Sequence, residues 1–310
     1  MPTNQPDLLL WRENTDMAGF PKRTDQEYLV NDQYRNASNL TARMTLHERF
    51  GTNPYPWQRW VFDQLTAALA DTPAPANATA SPAARHIFEI GCGPARLWVE
   101  NVDRIPAAWE VTLADLSGGM IAEAQRNIEA ALPAERAAAF RYTVADAQTL
   151  PFADATFDAV VANHMLYHVP DLAKALGELR RVLRPGAPLI AATNGADHMR
   201  QLDEIATRFL PGAQESHQQR VTGNFAQENG AEQLAKFFTH VELRDNHASD
   251  LVVTEAEPLV AYIASMVAIG PSGVLTDERR ANLLAYCQRE IADHGAIRIT
   301  RSTGLFVAHN

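Results

Sequence analysis

At 310 residues the chain can bury one large core with material left over, and 46% hydrophobic with 21% charged residues excludes a disordered or fibrous polymer. Asp plus Glu outnumber Lys plus Arg by 37 to 27, a formal charge of -10, which repels polyanions and argues against a nucleic-acid partner. The densest basic stretch, Arg180, Arg181 and Arg184, falls on one predicted helix beside acidic neighbours and makes no patch. The two cysteines, Cys92 and Cys287, lie far apart; in a chain with this much core, reduced thiols in a cytosolic compartment are the simpler reading. The first residues carry no basic leader, and the longest apolar segment, 259–269, is too short to span a bilayer and is broken by Tyr262 and Ser265. A soluble, cytoplasmic protein with no membrane partner is expected.

Residues 1–23 lack periodicity and read as a loose arm. From 28 to 50, Leu29, Val30, Ala37, Leu40, Met44 and Phe50 recur at helical spacing and predict one or two helices. Asn53-Pro54-Tyr55-Pro56 is a turn, after which Trp57, Trp60, Val61, Gln64 and Leu65 begin another helix. A Pro/Ala/Thr run then reads as a flexible connection. The expected division is an N-terminal arm and helical cap (1–70), a linker (71–84) and a catalytic domain (85–310).

Beyond the linker, short apolar strands alternate with helical segments. Strands are predicted at 86–90, 111–114, 142–145, 159–162 and 189–192, with helices at 120–131 and 172–183 between them. Asp171 is placed to cap the second helix, and Pro185-Gly186 to stop it. Such alternation implies right-handed crossovers and an α/β fold: a doubly wound, mostly parallel sheet with helices on both faces. Residues 197–237 are polar, helix-like and longer than a crossover needs, so a lid-like insertion is expected there. Residues 241–244 and 297–308 offer two further strands around a helix at 258–266, completing a seven-stranded count.

In an open parallel sheet a ligand sits at the carboxyl ends of the strands, so the informative residues follow each strand. Strand one runs into Glu89-Ile90-Gly91-Cys92-Gly93-Pro94-Ala95, where glycines let a backbone approach a ligand closely. A nicotinamide dinucleotide site would want a third Gly where Arg96 stands. The turn instead resembles the E/D-x-G-x-G-x-G turn of S-adenosylmethionine-dependent methyltransferases, with Ala95 at the third Gly, a tolerable change if its φ is negative. Cys92, inside the turn, reads as a small packing residue rather than a nucleophile. Strand two ends at Asp115-Leu116-Ser117, with a carboxylate about 20 residues past the Gly turn, suited to a ribose diol. Ser117 can cap the next helix, whose Met120 can pack on a base. Strand three ends at Asp146-Ala147; strand four at Asn163-His164-Met165-Leu166-Tyr167-His168, followed by Leu183-Arg184-Pro185-Gly186.

The order and spacing of these segments, over 87–193, resemble the type 11 small-molecule methyltransferases, a Rossmann-like family. The resemblance implies S-adenosylmethionine as cofactor, with Glu89, Gly91, Cys92, Gly93, Asp115, Leu116, Met120, Asp146, Ala147 and Asn163 around it. It gives Asp146 the adenine amino group and the Ala147 backbone N–H a ring nitrogen. The sulfonium donor is already activated, so the protein must bind it, exclude water and align a small-molecule nucleophile. A general base is needed only if that nucleophile must lose a proton, and His168 and His164 are the candidates; polar walls are the competing reading for both. Tyr167, Asn194 and His198 are weaker candidates for the acceptor pocket, and Tyr34, Trp57 and Trp60 either close over the site or pack in the core. The Asn-Pro-Pro-Tyr pattern of enzymes acting on base amino groups is absent at Asn163, and no metal is expected, since Asn163 and His164 stand where carboxylates would be wanted. A nucleotide-dependent oxidoreductase, a non-catalytic cofactor-binding protein and an RNA methyltransferase are the alternatives.

Overall fold

The computed structural model describes residues 25–33, 38–70, 72, 84–209, 223–246, 250–267 and 275–310. The expected arm at 1–23, Tyr34, most of the linker and the middle of the 197–237 insertion lie outside the described residues. Short helical turns at Gln26–Tyr28 and Leu29–Gln33 precede helix α1 (Ser38–Phe50) and helix α2 (Trp57–Ala70). The alternating region then gives β1 (Arg85–Ile90), α3 (Arg96–Val99), β2 (Trp109–Asp115), α4 (Gly118–Ala131), α5 (Ala134–Ala137) and β3 (Phe140–Val144). It continues through β4 (Ala159–Asn163), a 3-10 turn (Leu166–His168), α6 (Leu172–Val182) and β5 (Pro188–Asn194). Each strand expected here forms, within a few residues of its expected bounds.

Seven strands make one sheet in the order β3-β2-β1-β4-β5-β9-β6, with β6 at His240–Asp245 and β9 at Thr303–His309. The first five are parallel; β9 runs antiparallel between β5 and β6. This is the doubly wound, Rossmann-like arrangement. The chain leaves β1 in opposite directions to β2 and, later, to β4, so the topological switch lies between β1 and β4, where ligands bind in such sheets. Alternate residues divide between the two faces: Phe88, Val160 and Ala191 join a core with α6, while Ile87, Val161 and Ile190 join one with α2 and α4. Strand β5 is buried at every residue, as a central strand covered on both faces must be.

Local chemistry fixes the helix ends. Asp171 accepts the Lys174 N–H at 3.0 Å and starts α6, whose Leu172, Ala175, Leu176, Leu179 and Val182 form one buried stripe. Arg184, half-buried just before the Pro185-Gly186 stop, pairs at 2.6 Å with the buried Asp158, which also accepts the His86 N–H at 2.7 Å. Arg181 bonds the carbonyls of Leu150 and Phe152 at 3.1 and 2.8 Å, pinning the loop after β3.

The last third departs from expectation. The single strand read at 297–308 is two: β8 (Ile297–Ile299) pairs with β7 (Leu251–Val253) in a separate ribbon, and β9 joins the main sheet after a break at Thr300–Ser302. The helix expected at 258–266 forms as α9 (Ala256–Val267), and a helix not read from sequence, α10 (Asp277–His294), follows it before β8, while α7 (Arg200–Phe209) and α8 (Gln227–Leu234) follow β5. A third core unites Leu46 and Phe50 of α1 with Leu202 of α7, Leu251, Ile263, Leu283 and Ile299. Stretches distant in sequence thus build one layer beside the carboxyl ends of β4 and β5. Among the described residues no helix is long and apolar enough to cross a membrane.

Candidate functional site

The turn after β1 is shaped by its backbone. Gly91 and Gly93 adopt φ of 68° and 52°, and a Cβ on Gly91 would lie 2.6 Å from Met165 Cβ, so the β4 loop closes directly on this glycine. Ala95 also adopts a positive φ, 62°, as the residue before α3. The condition set for it from sequence, a negative φ, is not met. A left-handed alanine costs about 1–2 kcal/mol, and the turn imposes it because the Ala95 N–H must reach the Cys92 carbonyl at 3.1 Å while its own carbonyl starts the helix. Arg96 turns outward to Glu48 of α1, at 2.5 Å, and to Glu100.

Two carboxylates flank the turn. Asp115 Oδ2 accepts the Gly93 N–H and Oδ1 the Ser117 N–H, both at 2.9 Å, and burial raises its pKa against these bonds. The Leu116 backbone N–H is a third donor to this carboxylate, which leaves about one of its four acceptor sites open. Glu89 is buried, accepts the Trp98 Nε1–H at 2.6 Å, and is pushed up to about 8 by burial, so near neutral pH it is largely protonated. Its hydrogen bond faces the core. Cys92 is buried and its thiol is raised well above the usual range, again by burial, so it is inert packing.

Ser117 Oγ accepts the Met120 N–H at 3.3 Å, which caps α4 and sets Leu116 beside the turn; Met120 itself is fully buried. At the end of β3, Asp146 is engaged. It accepts the Gln26 side-chain amide at 3.0 Å, the Gln148 N–H at 2.9 Å, and both contacts of the Gln148 amide. These bonds hold its pKa down although burial opposes them. Ala147 beside it is buried. Gln26 was not read from sequence; an isolated glutamine in a polar segment carries no local signal.

The β4 loop meets α2. Asn163 accepts the Trp57 Nε1–H at 3.2 Å and donates to Gln58 Oε1 at 3.0 Å, and the Trp57 ring lies 5.1 Å from that of His164. Trp57 therefore serves both readings given to it: part of the core beneath α2 and part of the wall at β4. His164 takes a left-handed φ of 60°, a strained conformation that imidazole-bearing and amide-bearing residues tolerate best. Burial lowers its pKa to about 4. His168 lies one turn on, its ring 4.6 Å from Tyr167. The two histidines thus share the loop but occupy different settings, His164 against Trp57 and His168 behind Tyr167.

A second polar group lies past β5. His198 Nδ1 and Asn194 Oδ1 each lie 3.3 Å from Thr303 Oγ1, and His47 of α1 stacks on His198 at 6.1 Å. His47, missed by the sequence reading because it sits in an ordinary helix, is lowered to about 3 by burial. Among the described residues no group of three or more His, Cys, Asp or Glu side chains is arranged to hold a metal ion.

Residues 88–191 match the family whose model is described as a methyltransferase domain. Over 106 residues the chain is 35% identical to a ubiquinone/menaquinone biosynthesis C-methyltransferase of Paracoccus denitrificans, covering 34% of this chain and 41% of that one. Over 136 residues it is 37% identical to a malonyl-acyl-carrier-protein O-methyltransferase of Enterobacter lignolyticus, covering 40% and 48%. The chain thus matches less than half the length of either curated relative. Its fold is similar to that of a Haemonchus contortus phosphoethanolamine N-methyltransferase 2 solved with S-adenosylmethionine, with a TM-score of 0.52, 18% identity, 92% of this chain and 59% of that one. The resemblance read from the sequence at 87–193 is borne out in extent and in family.

Proposed function

We propose that this chain is an S-adenosylmethionine-dependent methyltransferase acting on O, N or C of a small molecule. The observation that carries the reading is the Asp115 carboxylate, clamped by the backbone N–H groups of Gly93, Leu116 and Ser117 at the sheet's switch point. That is a fixed acceptor beside a turn with two glycines, and it fits a ribose hydroxyl. Asp146 fits an exocyclic amino group once the Gln26 amide, which already presents an N–H₂ to the same oxygen, gives way. Leu116, Met120 and Ala147 would wall the base, and Asn163, Cys92 and the glycines would lie against the amino-acid end, with Glu89 beneath the turn.

S-adenosylmethionine, when bound, supplies a methyl group already activated on sulfonium sulfur. The chain's own task is then alignment and exclusion of water, which can lower a barrier by several kcal/mol. Trp57 and Tyr167 are placed to exclude water beside His164. A base held near 4 accepts a proton poorly at neutral pH, so His164 acts here by orienting the acceptor. His168 is the residue left to remove a proton if one must leave. The division into cap (1–70), linker (71–84) and methyltransferase domain (85–310), and a cytoplasmic setting in keeping with two buried free cysteines, belong to the same reading.

The test is calorimetric titration with S-adenosylmethionine, S-adenosylhomocysteine, NAD and NADP. Micromolar binding of the first two alone supports the reading. Binding of NAD instead would make the chain an oxidoreductase, and donor binding without turnover across an acceptor screen would leave a non-catalytic binding protein.

A further inference from the structure

The polar group past β5 borders a cation that no side chain among the described residues pairs with directly. Arg301 lies in the Thr300–Ser302 break, where the chain returns from the third core to β9; the Gly195 and Met199 N–H groups fix this break by bonding Ser302 O and Thr300 O at 2.9 and 2.8 Å. Its Nε is buried with no hydrogen-bond partner, and among the described residues no ion pair includes its guanidinium. The nearest acid that its charge feels is Asp250, which accepts only the Arg301 backbone N–H, at 3.4 Å. Its other electrostatic neighbours are Tyr262 and three histidines, His47, His164 and His198, all kept neutral by burial. His47 Nδ1 is a second buried polar atom without a partner, and the His47 ring lies 6.1 Å from His198 and 5.9 Å from Tyr262.

Burying part of a guanidinium without a partner is unfavourable, and the one acid whose charge reaches this one, Asp250, is hydrogen-bonded to the Arg301 backbone rather than to its side chain. An orphan Nε–H beside the Nη donors presents the side-on fork that matches the two oxygens of a carboxylate. A neutral ligand would leave both the charge and the fork unanswered. The position also suits this role, since His164 of the β4 loop feels the Arg301 charge and its neighbour Met165 closes on Gly91 of the Gly turn. Resting on the methyltransferase reading for its place in the reaction, we infer that the methyl acceptor is a small organic acid whose carboxylate is held by Arg301, with His47 and His198 bordering it.

The test uses the full chain saturated with S-adenosylhomocysteine and a panel of aromatic and aliphatic monocarboxylates, each paired with its carboxamide (benzoate with benzamide first). Binding is read by calorimetry. Carboxylates should bind about ten-fold or more tightly than their amides, the worth of one charge-assisted fork. R301Q should erase that preference while R301K keeps part of it, with S-adenosylhomocysteine affinity unchanged in both. A wild-type protein that shows no preference for any acid over its amide overturns the inference without needing either variant to fold. Loss of the preference together with intact S-adenosylhomocysteine binding leaves the methyltransferase reading standing; failure of S-adenosylhomocysteine itself to bind removes that reading while the acid preference is still measurable.

Discussion

Gly91→Ala should be among the most damaging single-methyl changes in this chain, and its cost can be assembled from two separable causes. The residue holds φ at 68°, which for alanine costs about 1–2 kcal/mol. The added Cβ would also stand 2.6 Å from Met165 Cβ and 2.7 Å from its Cγ. Rotating Met165 moves Cγ but not Cβ, so the backbone of the β4 loop must shift, which adds about 1–3 kcal/mol of overpacking. The expected loss is about 2–5 kcal/mol, read from urea unfolding midpoints at constant slope. A double-mutant cycle separates the causes. Met165→Ala leaves the Cβ clash and should rescue little, whereas Met165→Gly removes it and should reduce the Gly91→Ala cost to the backbone part alone. The same displacement of Asn163 and His164 should weaken S-adenosylhomocysteine binding. A Gly91→Ala protein within about 0.5 kcal/mol of wild type would refute the reasoning, because the close approach of the two loops would then not exist.

Asp115→Ala and Asp146→Ala should each weaken donor binding measured by calorimetry, Asp115→Ala the more because Gly93 and Ser117 lose their acceptor as well; unchanged affinity in both removes the site assignment. Asp158→Ala should cost about 3 kcal/mol in denaturant unfolding, since Arg184 and the His86 N–H lose a buried partner; a loss under 1 kcal/mol would mean the pair is merely superficial. Acidification from about pH 7 to about pH 5 sets opposing groups against each other. His47 and His164 are lowered in the fold, so the unfolded chain takes up the protons and each costs about 2 kcal/mol over that interval, with His198 acting the same way. Glu89, raised in the fold, gives back about 2–3 kcal/mol over the same interval. The net is an acid loss that Glu89→Gln should steepen and a His47→Gln, His164→Gln double variant should largely remove; identical pH profiles for all three proteins would rule out these buried neutral groups. His168→Ala should lower turnover with donor affinity intact if the acceptor must lose a proton, and full activity would leave positioning as the whole mechanism.

The alternating region was legible because each strand there is short, apolar and followed by its own chemistry. Glu89 to Gly93, Asp115, Asp146 and Asn163 end their strands, and β-α alternation admits essentially one handedness of crossover, so residues dispersed over 75 positions had to meet at one edge. Caps such as Asp171 and Ser117 are local, and sequence sufficed for them. Other facts depend on distance in the chain. Ala95 is left-handed because of the turn around it, not because of its own preference. The break at Thr300–Ser302 divides what periodicity joined, since β7 and the main sheet compete for the same apolar run and each takes a part. Glu89 answers Trp98 rather than the open turn, and Asp146 receives Gln26 across 120 residues. His47, His198 and Arg301 are unremarkable where they stand in sequence; only the packing of α1 and the β8–β9 return against β5 brings the Arg301 charge within reach of three neutral imidazoles. Sequence determined where the donor edge lies, because local pattern and crossover geometry suffice for that. The tertiary structure alone decided the character of the proposed acceptor site, because charge and burial there are properties of side chains that no local rule brings together.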